Sequence, residues 1–412
     1  MDLRYLLTAG VVAAMAQPAL AAPAPQWGDP VKVSDDLTID PIIEGRVRYE
    51  HVDQPVTEAD ALTVRLRAGA EFKLGQFSIL AEAEGTLAAI DDYNAFPFAI
   101  PSGQRRPGHS VVADPMNVEL NRLQFQYRLP AATFTLGRQR INLDDQRWVG
   151  SVAWRQNEQT FDAVRMEAKV GAVTLDGTYS IGQRTLFGVD AGARQAYRGD
   201  FFFAGAGTKA GPVQIKAFAY LLDYDEAFFA ANSSKTYGLR ASTALPLSPA
   251  VKLALAASYA RQSDYGSNPF DYAADYLAAE GTISIRGLGL TVGYEKLGSD
   301  NGRGLQTPMA TLFKFNGWAD VFLTTPGAGL QDLYGGIAYK FDGVKALPGL
   351  NLGLTYHRFD SDMGSIDYGD EWDAQLGFSV GRIALLGRYA KYRAKGFGVD
   401  TEKMWLQAEF AF

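Results

Sequence analysis

The chain has 412 residues, a formal net charge of −7, no cysteine, 47% hydrophobic and 12% aromatic residues, and 43 glycines. Without cysteine there are no disulfides and no thiolate metal sites, and the acidic balance speaks against a nucleic-acid surface. Length alone would allow two or three soluble domains, but the pattern along the chain leads to a different architecture.

The first residues read MDLRYLLTAGVVAAMAQPALAAPAP. Arg4 is a thin positive region, Tyr5 to Ala16 is apolar, and Ala19-Leu20-Ala21 fits a small-x-small cleavage site. The apolar stretch is too short to span as a helix. Residues 1–21 are therefore expected to be a secretory signal peptide; an N-terminal anchor helix is the alternative. Their removal takes away Asp2 and Arg4, so the charge stays at −7. Residues 22–37 are expected to form a short periplasmic segment. No later apolar run approaches ~18 residues, so the mature chain should pass the inner membrane.

From residue 38 the dominant period is two. Leu62, Val64, Leu66, Ala68, Ala70 and Phe72 alternate with Thr63, Arg65, Arg67, Gly69, Glu71 and Lys73. Successive side chains of a strand point to opposite faces, so each such segment has an apolar and a polar face. The pattern predicts strands at 38–51, 60–73, 76–88, 117–129, 132–141, 159–170, 172–182, 198–209, 212–223, 235–245, 250–262, 274–286, 288–297, 331–341, 349–360, 370–380, 382–393 and 401–412. Their connections alternate. KLGQF, RLPAAT, KVGAV, KAGPV and RGLGL are tight, whereas 52–59, 89–116, 142–158, 183–197, 298–330 and their equivalents are longer and polar. An even number of strands with short turns at one end and long loops at the other is the pattern of an outer-membrane barrel. The expected fold is an all-β transmembrane antiparallel barrel of about 18 strands. Short periplasmic turns, long extracellular loops and both termini in the periplasm complete it. The last strand, KMWLQAEFAF, places Met404, Leu406, Ala408, Phe410 and Phe412 on one face. A closing Phe412 resembles the signal read by the outer-membrane assembly machinery.

Eighteen strands enclose more space than wall side chains can fill, so the interior must hold water, inward-folded loops or both. Charge facing lipid at mid-membrane costs roughly 2–4 kcal/mol for Arg or Lys, which turns the polar faces inward. The lumen then receives Arg46, Arg48, Arg65, Arg67, Arg122, Arg128, Arg165, Lys169, Arg240 and Arg388, with Lys73, Lys216, Lys252, Lys340 and Lys403. Interspersed acids include Glu44, Glu50, Glu82, Glu84, Glu280, Glu295, Asp332 and Glu409. Asp360, Asp362, Asp367, Asp370 and Glu371 are assigned to an acidic loop rim. Guanidinium forks pair carboxylates bidentately, so these residues are either a path for an anion or a set of charges paired across the wall.

Two connections are dense in polar chemistry. INLDDQRWVGSVAWRQNEQTFDAVR, following TFTLGRQR, carries Arg138, Arg140, Asn142, Arg147, Trp148, Trp154, Arg155, Gln156, Asn157, Gln159 and Asp162. It is expected to fold into the lumen as a constriction with Arg147 and Arg155 exposed; a self-tied surface loop is the alternative. Strict alternation aims Arg138 and Arg140 outward, so either they lie above the hydrocarbon or Gly137 marks a bulge that re-aims them. TPMATLFKFNGWADVFLTTPGAGLQDLYGG, 307–336, carries Lys314, Asn316, Trp318, Asp320, Gln331 and Asp332. It reads as a small packed element with a Lys314–Asp320 pair, or as an interfacial lid.

Both stretches resemble the signature regions of the bacterial alginate-export family of outer-membrane barrels. The likeness is strongest over 137–165 and 307–336, and the strand plan extends it over most of 38–412. The resemblance implies an eighteen-stranded monomeric barrel with an arginine-lined path for a polyuronate. It assigns Arg138, Gln139, Asn142, Arg155, Gln156, Asn157, Gln159, Asp162 and Arg165 to the first signature. Lys314, Asn316, Gly317, Trp318, Asp320, Thr324, Thr325, Pro326, Gln331 and Asp332 fall in the second. One departure is the short turn SVGRIA before the last strand pair, where dedicated exporters carry a long periplasmic turn.

The expected function is an outer-membrane channel passing an anionic polysaccharide such as alginate. The alternative is an uptake porin for small anionic solutes, and a third reading is a barrel enzyme or adhesin. Hydrolysis would need a histidine base beside a nucleophile; the histidines are His51, His109 and His357. His357 is placed near the outer rim. Asp144-Asp145 and Asp360-x-Asp362 read as solvated loop carboxylates rather than a calcium site, so no metal or cofactor is expected. The expected partners are the transported anion and outer-membrane lipid, with no nucleic acid.

Overall fold

The computed structural model describes residues 28–411. The expected signal peptide and the closing Phe412 lie outside the described residues. Eighteen long strands form one closed antiparallel sheet. They are β1 Leu37–Asp53, β2 Glu58–Leu74, β3 Phe77–Asp92, β4 Asn117–Arg128, β5 Ala132–Gln139 and β6 Thr160–Val170. Next come β7 Val173–Arg184, β8 Ala196–Ala210, β9 Val213–Tyr224, β10 Ser234–Ser248, β11 Val251–Asp264 and β12 Ala273–Ile285. The wall is completed by β13 Leu288–Leu297, β14 Leu330–Lys340, β15 Asn351–Asp360, β16 Asp367–Val380, β17 Ile383–Ala394 and β18 Thr401–Ala411. Each strand pairs with its neighbours in sequence, and β18 returns to β1 with Glu44 opposite Ala411. Closure removes the unpaired edges that an open sheet would expose. A two-residue strand, Val31–Lys32, lies against the start of β1.

The strands match those expected from periodicity to within a few residues, and the two classes of connection separate as expected. At one end the turns are as short as Gly171-Ala172, where Gly171 has φ +60°. A two-residue hairpin turn needs a positive φ to follow the strand twist. Long loops occupy the other end, and both ends of the barrel's chain lie at the turn end.

The outer face carries the band required of a lipid-exposed wall. Val64, Leu66, Ile79, Leu136, Val164, Leu239, Val292, Leu333 and Leu406 are exposed on it. Exposed aromatics flank this band at two levels. Phe72, Phe77, Phe125, Phe134 and Tyr339 lie toward the turns, and Tyr179, Phe202, Tyr237, Tyr259, Tyr356 and Trp372 toward the loops. Such girdles mark the two membrane interfaces of outer-membrane barrels. On the loop side, Tyr179 donates to Asp200 at 2.5 Å and Tyr259 to Asp275 at 2.8 Å, polar pairs suited to the headgroup level.

The lumen is not an open tube. Loop 140–159 and loop 298–329 turn inward and bury Ile141, Leu143, Val149, Met309, Phe313, Trp318 and Phe322 in one apolar cluster. That cluster continues into inward-facing Phe161, Phe201, Phe203, Phe218 and Tyr220 of β6, β8 and β9. The second loop also contains a small hairpin, Ser299–Asp300 with Arg303–Gly304, and one turn of 3-10 helix at Leu312–Lys314.

Candidate channel filter

The two inward loops are joined to each other first. Val149 and Met309 form a parallel bridge; Gly150 N donates to Met309 O at 2.8 Å and Thr311 N to Gln146 O at 3.0 Å. Arg147 donates to Asn316 at 3.1 Å. Trp154 stacks on Phe313 with centroids 4.3 Å apart, and Phe313 in turn faces Trp318. Asp144, Gln146, Val152, Asn316 and Asp320 all have positive φ. For a β-branched residue such as Val152 (φ +54°) this is a strained conformation, of the kind that persists only where surrounding contacts over-determine it.

The joined loops are then tied to the wall on opposite sides of the barrel. On β1–β3, Arg46 Nη1 donates to the carbonyls of Ala153, Trp154 and Arg155 at 3.1, 3.0 and 3.1 Å. Arg48, fully buried, donates to Trp154 O at 2.5 Å and lies 4.0 Å over the Trp154 ring. Gln156 Nε2 donates to Thr63 Oγ1 at 2.8 Å, and Thr86 donates to Asn157 at 2.8 Å. Glu158 meets Arg67 at 3.5 Å and pairs closely with Arg140. On the far side, Trp148 packs on Phe218 of β9 and Tyr276 of β12, Asp145 pairs with Arg240 of β10, and Arg147 meets Glu295 of β13 at 2.9 Å. The second loop reaches β16 and β18. Trp318 N donates to Asp373 at 3.2 Å, Ala319 N to Glu371 at 2.7 Å, and Lys403 to Asp320 at 3.2 Å. The result is a septum across the lumen.

Arg155 is the central tie. Its guanidinium reaches Glu50 at 3.0 Å, Asp320 at 2.6 Å and Asp114 at 3.8 Å, so it clamps wall, second loop and the β3–β4 loop together. Burial would lower its pKa, but these three carboxylates hold it above the ordinary arginine value. The same balance holds Glu158 below the usual carboxylate range, with Arg67 and Arg140 outweighing burial. Burial raises Asp144 despite Lys216, and lowers Lys314.

Several expectations need correction. Arg147 and Arg155 are buried rather than exposed, because their partners Glu295, Glu50 and Asp320 come from distant strands and the other loop. Lys314 does not pair with Asp320; it donates to Asp145 O at 2.9 Å while Asp320 joins Arg155 and Lys403. Arg138 and Arg140 part company. Arg138 stays on the outer rim beside Asp162 at 2.8 Å, whereas Arg140, just past the end of β5, turns in to Glu158. Glu371 is no rim acid but a buried residue of the lumen wall, and His357 lies inside the barrel, 3.0 Å from Asp332.

The wall arginines are in place but engaged. Arg46, Arg48, Arg65, Arg67, Arg122, Arg128, Arg165 and Arg240 each have a carboxylate within 4 Å. Arg388 lies 4.4 Å over Trp154 and 4.3 Å over Trp318. Lys169 is exposed near the turn end. Among the amides, Asn142 accepts from Ser151 N at 2.8 Å, Asn157 donates to Pro115 O at 3.0 Å, and Gln159 donates to Gly150 O at 2.9 Å. Gln331 donates to Ser361 O at 2.9 Å, outside the septum proper. Asp114, Asp373 and Trp405 complete the septum without having been singled out in the sequence; Trp405, fully buried, meets both Trp154 and Phe313 edge-on.

The alginate-export family model matches residues 93–230, which contain the first inward loop but not the second. No curated protein matches the chain. Solved porin structures match nearly all of it. The crystal structure of Acinetobacter baumannii OccAB4 superposes with a TM-score of 0.72 at 11% identity, covering 92% of this chain and 98% of that one. Pseudomonas aeruginosa OpdL gives 0.66 at 19%, covering 91% and 98%, and Pseudomonas aeruginosa OpdK with vanillate gives 0.68 at 14%, covering 92% and 98%. With its closed eighteen-stranded wall, lipid-facing band and inward loops, the chain has the fold of an outer-membrane barrel, and its residues 93–230 are similar to the alginate-export family.

Proposed function

We propose that this barrel is a substrate-selective porin for small solutes, with the septum as its filter and the loop end facing the cell exterior. The observation that carries this reading is the double anchoring of the septum. Its loops are bonded to β1–β3 on one side and to β9–β13 and β16 on the other, so a solute must pass beside a fixed partition. Selective sites of this kind use a few placed polar groups in a narrow, pre-formed space. The second reading, passage of a polyuronate, draws on the alginate-export match and on the arginines of the wall. It requires the septum to swing aside, which breaks the Arg155 clamp and the carbonyl contacts of Arg46 and Arg48 together.

Swelling of liposomes carrying the barrel separates the two. Monomeric solutes should enter, and oligouronates of increasing length should be excluded. Replacing 143–158 by a short Gly-Ser linker should raise single-channel conductance and admit the longer oligomers. Entry of long oligouronates through the intact barrel as readily as monomers would overturn the porin reading in favour of the polymer path.

A further inference from the structure

Beside the septum a recess remains, walled by β10–β16 and roofed by residues 314–318. Its chemistry is opposite to that of the arginine-rich wall. Glu295, Asp332 and Asp373 line it, and Glu371 lies two residues from Asp373 on the same face of β16. All four are buried, Asp332 and Asp373 to 1% exposure. Within 4 Å, the cations facing these four carboxylates are Arg147, 2.9 Å from Glu295, and His357, 3.0 Å from Asp332 and 3.7 Å from Asp373. Arg388 on β17 adds a third at longer range, against the Trp318 ring. Glu280 also lines the recess and accepts from Tyr334 at 2.7 Å. At the opposite edge Arg240 is neutralised by Asp145, and the Lys314 ammonium donates to the Asp145 carbonyl.

Buried carboxylates in excess of their cations are costly unless a cation or a proton joins them. A second observation says where. The Thr355 hydroxyl is buried to 3% exposure, lines the recess and has no hydrogen-bond partner, and beside it Asp373 shares a hydrogen bond with Glu371. Thr355 Oγ1 and the Asp373 carboxyl sit at one end of the space, while the rings of Trp318, Tyr276 and Tyr334 present apolar and π surface around it. Acceptors backed by unmatched negative charge, with aromatic faces alongside, suit an alkylammonium group.

We propose that this recess is the cation-binding subsite of the filter and takes the protonated amino group of a small solute, held by Asp373, Thr355 and Asp332. The assignment rests on the porin reading for its role in transport, but the binding itself does not. It reverses the charge preference drawn from the arginines, because those are saturated by protein carboxylates whereas these acids are not.

The test uses three probes of one size: butylammonium, butanoate and butanol. Binding to the detergent-solubilised barrel is read from tryptophan fluorescence, since Trp318 lines the recess, and block is read from single-channel current in planar bilayers. Butylammonium should bind and interrupt the current, and butanoate and butanol should do neither. Asp373→Asn should weaken butylammonium at least about tenfold, the loss of one charged hydrogen bond. Thr355→Val, which keeps the side-chain shape, should weaken it by a smaller factor and guards against misfolding of the charge variant. Butanoate binding as well as butylammonium, or a fluorescence change produced equally by potassium chloride alone, would overturn the proposal. A barrel that binds butylammonium but admits no small solute would sink the porin reading and leave the site standing; one that conducts without binding it would do the reverse.

Discussion

Two walls of the same lumen carry dense charge and put it to different use. On β1–β4 and β18, Arg46, Arg48, Arg65 and Arg67 are surrounded by Glu44, Glu84, Asp114, Glu158 and Glu409 and by loop carbonyls. On β13–β16, Glu295, Asp332 and Asp373 share Arg147 and His357, with Glu371 buried beside Asp373. The first wall has its charges matched inside the protein and holds a structure in place. The second leaves more acids than cations around a recess, with the Thr355 hydroxyl unpartnered beside them. The number of arginines in a lumen is therefore a poor guide to what it passes; the number left unmatched is the better one.

The largest expected effect comes from breaking the matched side. Arg155→Ala would leave Glu50, Asp114 and Asp320 facing one another in the interior, and removing one partner of a buried charge network typically costs about 3–5 kcal/mol. The septum should detach, seen as a lower unfolding temperature by gel mobility and a larger, noisier conductance. If conductance and unfolding stayed at the parent values, Arg155 would not be the clamp. Next in size is Trp154→Ala, which removes the ring between Arg48, Arg388 and Phe313. Loss of a large buried aromatic costs about 3–5 kcal/mol at full burial, and Trp154 is only partly buried, so the loss should sit at or below the low end. Conductance should rise with the reversal potential little changed, because the acidic recess is left intact.

Acid offers a milder way to loosen the same wall. Glu158 is held below the usual carboxylate range although its burial works the other way; Arg67 and Arg140 prevail. A carboxyl depressed in the folded state stabilises it fully above its unfolded value, ~4.3, and loses that contribution as the pH falls through the lower folded value. Conductance should thus stay flat from neutral pH down to about 4.3 and climb only in stronger acid. A rise beginning near neutrality would mean that another group controls the septum.

How much of this was legible in the sequence divides along the same line. The wall was, because period two, turn length and the inward face of each strand are local properties: Arg46, Arg48, Arg65 and Arg67 stand where alternation places them. The septum's inward course was legible from its polar density, but its internal pairing was not. Arg155 finds Glu50 and Asp320 more than a hundred residues away on either side, and no spacing rule reports that. Of the acidic wall, Glu295 and Asp332 also stand inward as alternation places them. Glu371, counted with the loop acids, lies instead inside β16, which begins at Asp367 and carries it into the buried lumen wall.

The smallest predicted effect separates two arginines that sequence alone treats alike. Arg138 pairs with Asp162 at 2.8 Å on the outer rim, with both side chains partly in solvent. Exposed ion pairs of this kind are worth about 0–1 kcal/mol, so Arg138→Ala should move neither unfolding nor reversal potential appreciably. Arg140, two residues on, pairs with Glu158, whose side chain is fully buried. Arg140→Ala leaves that carboxylate dependent on Arg67 and Asn121, so its septum should open at a higher pH than the parent's. Equal behaviour of the two variants in an acid titration of conductance would place both arginines on the same side of the wall, against the geometry described above.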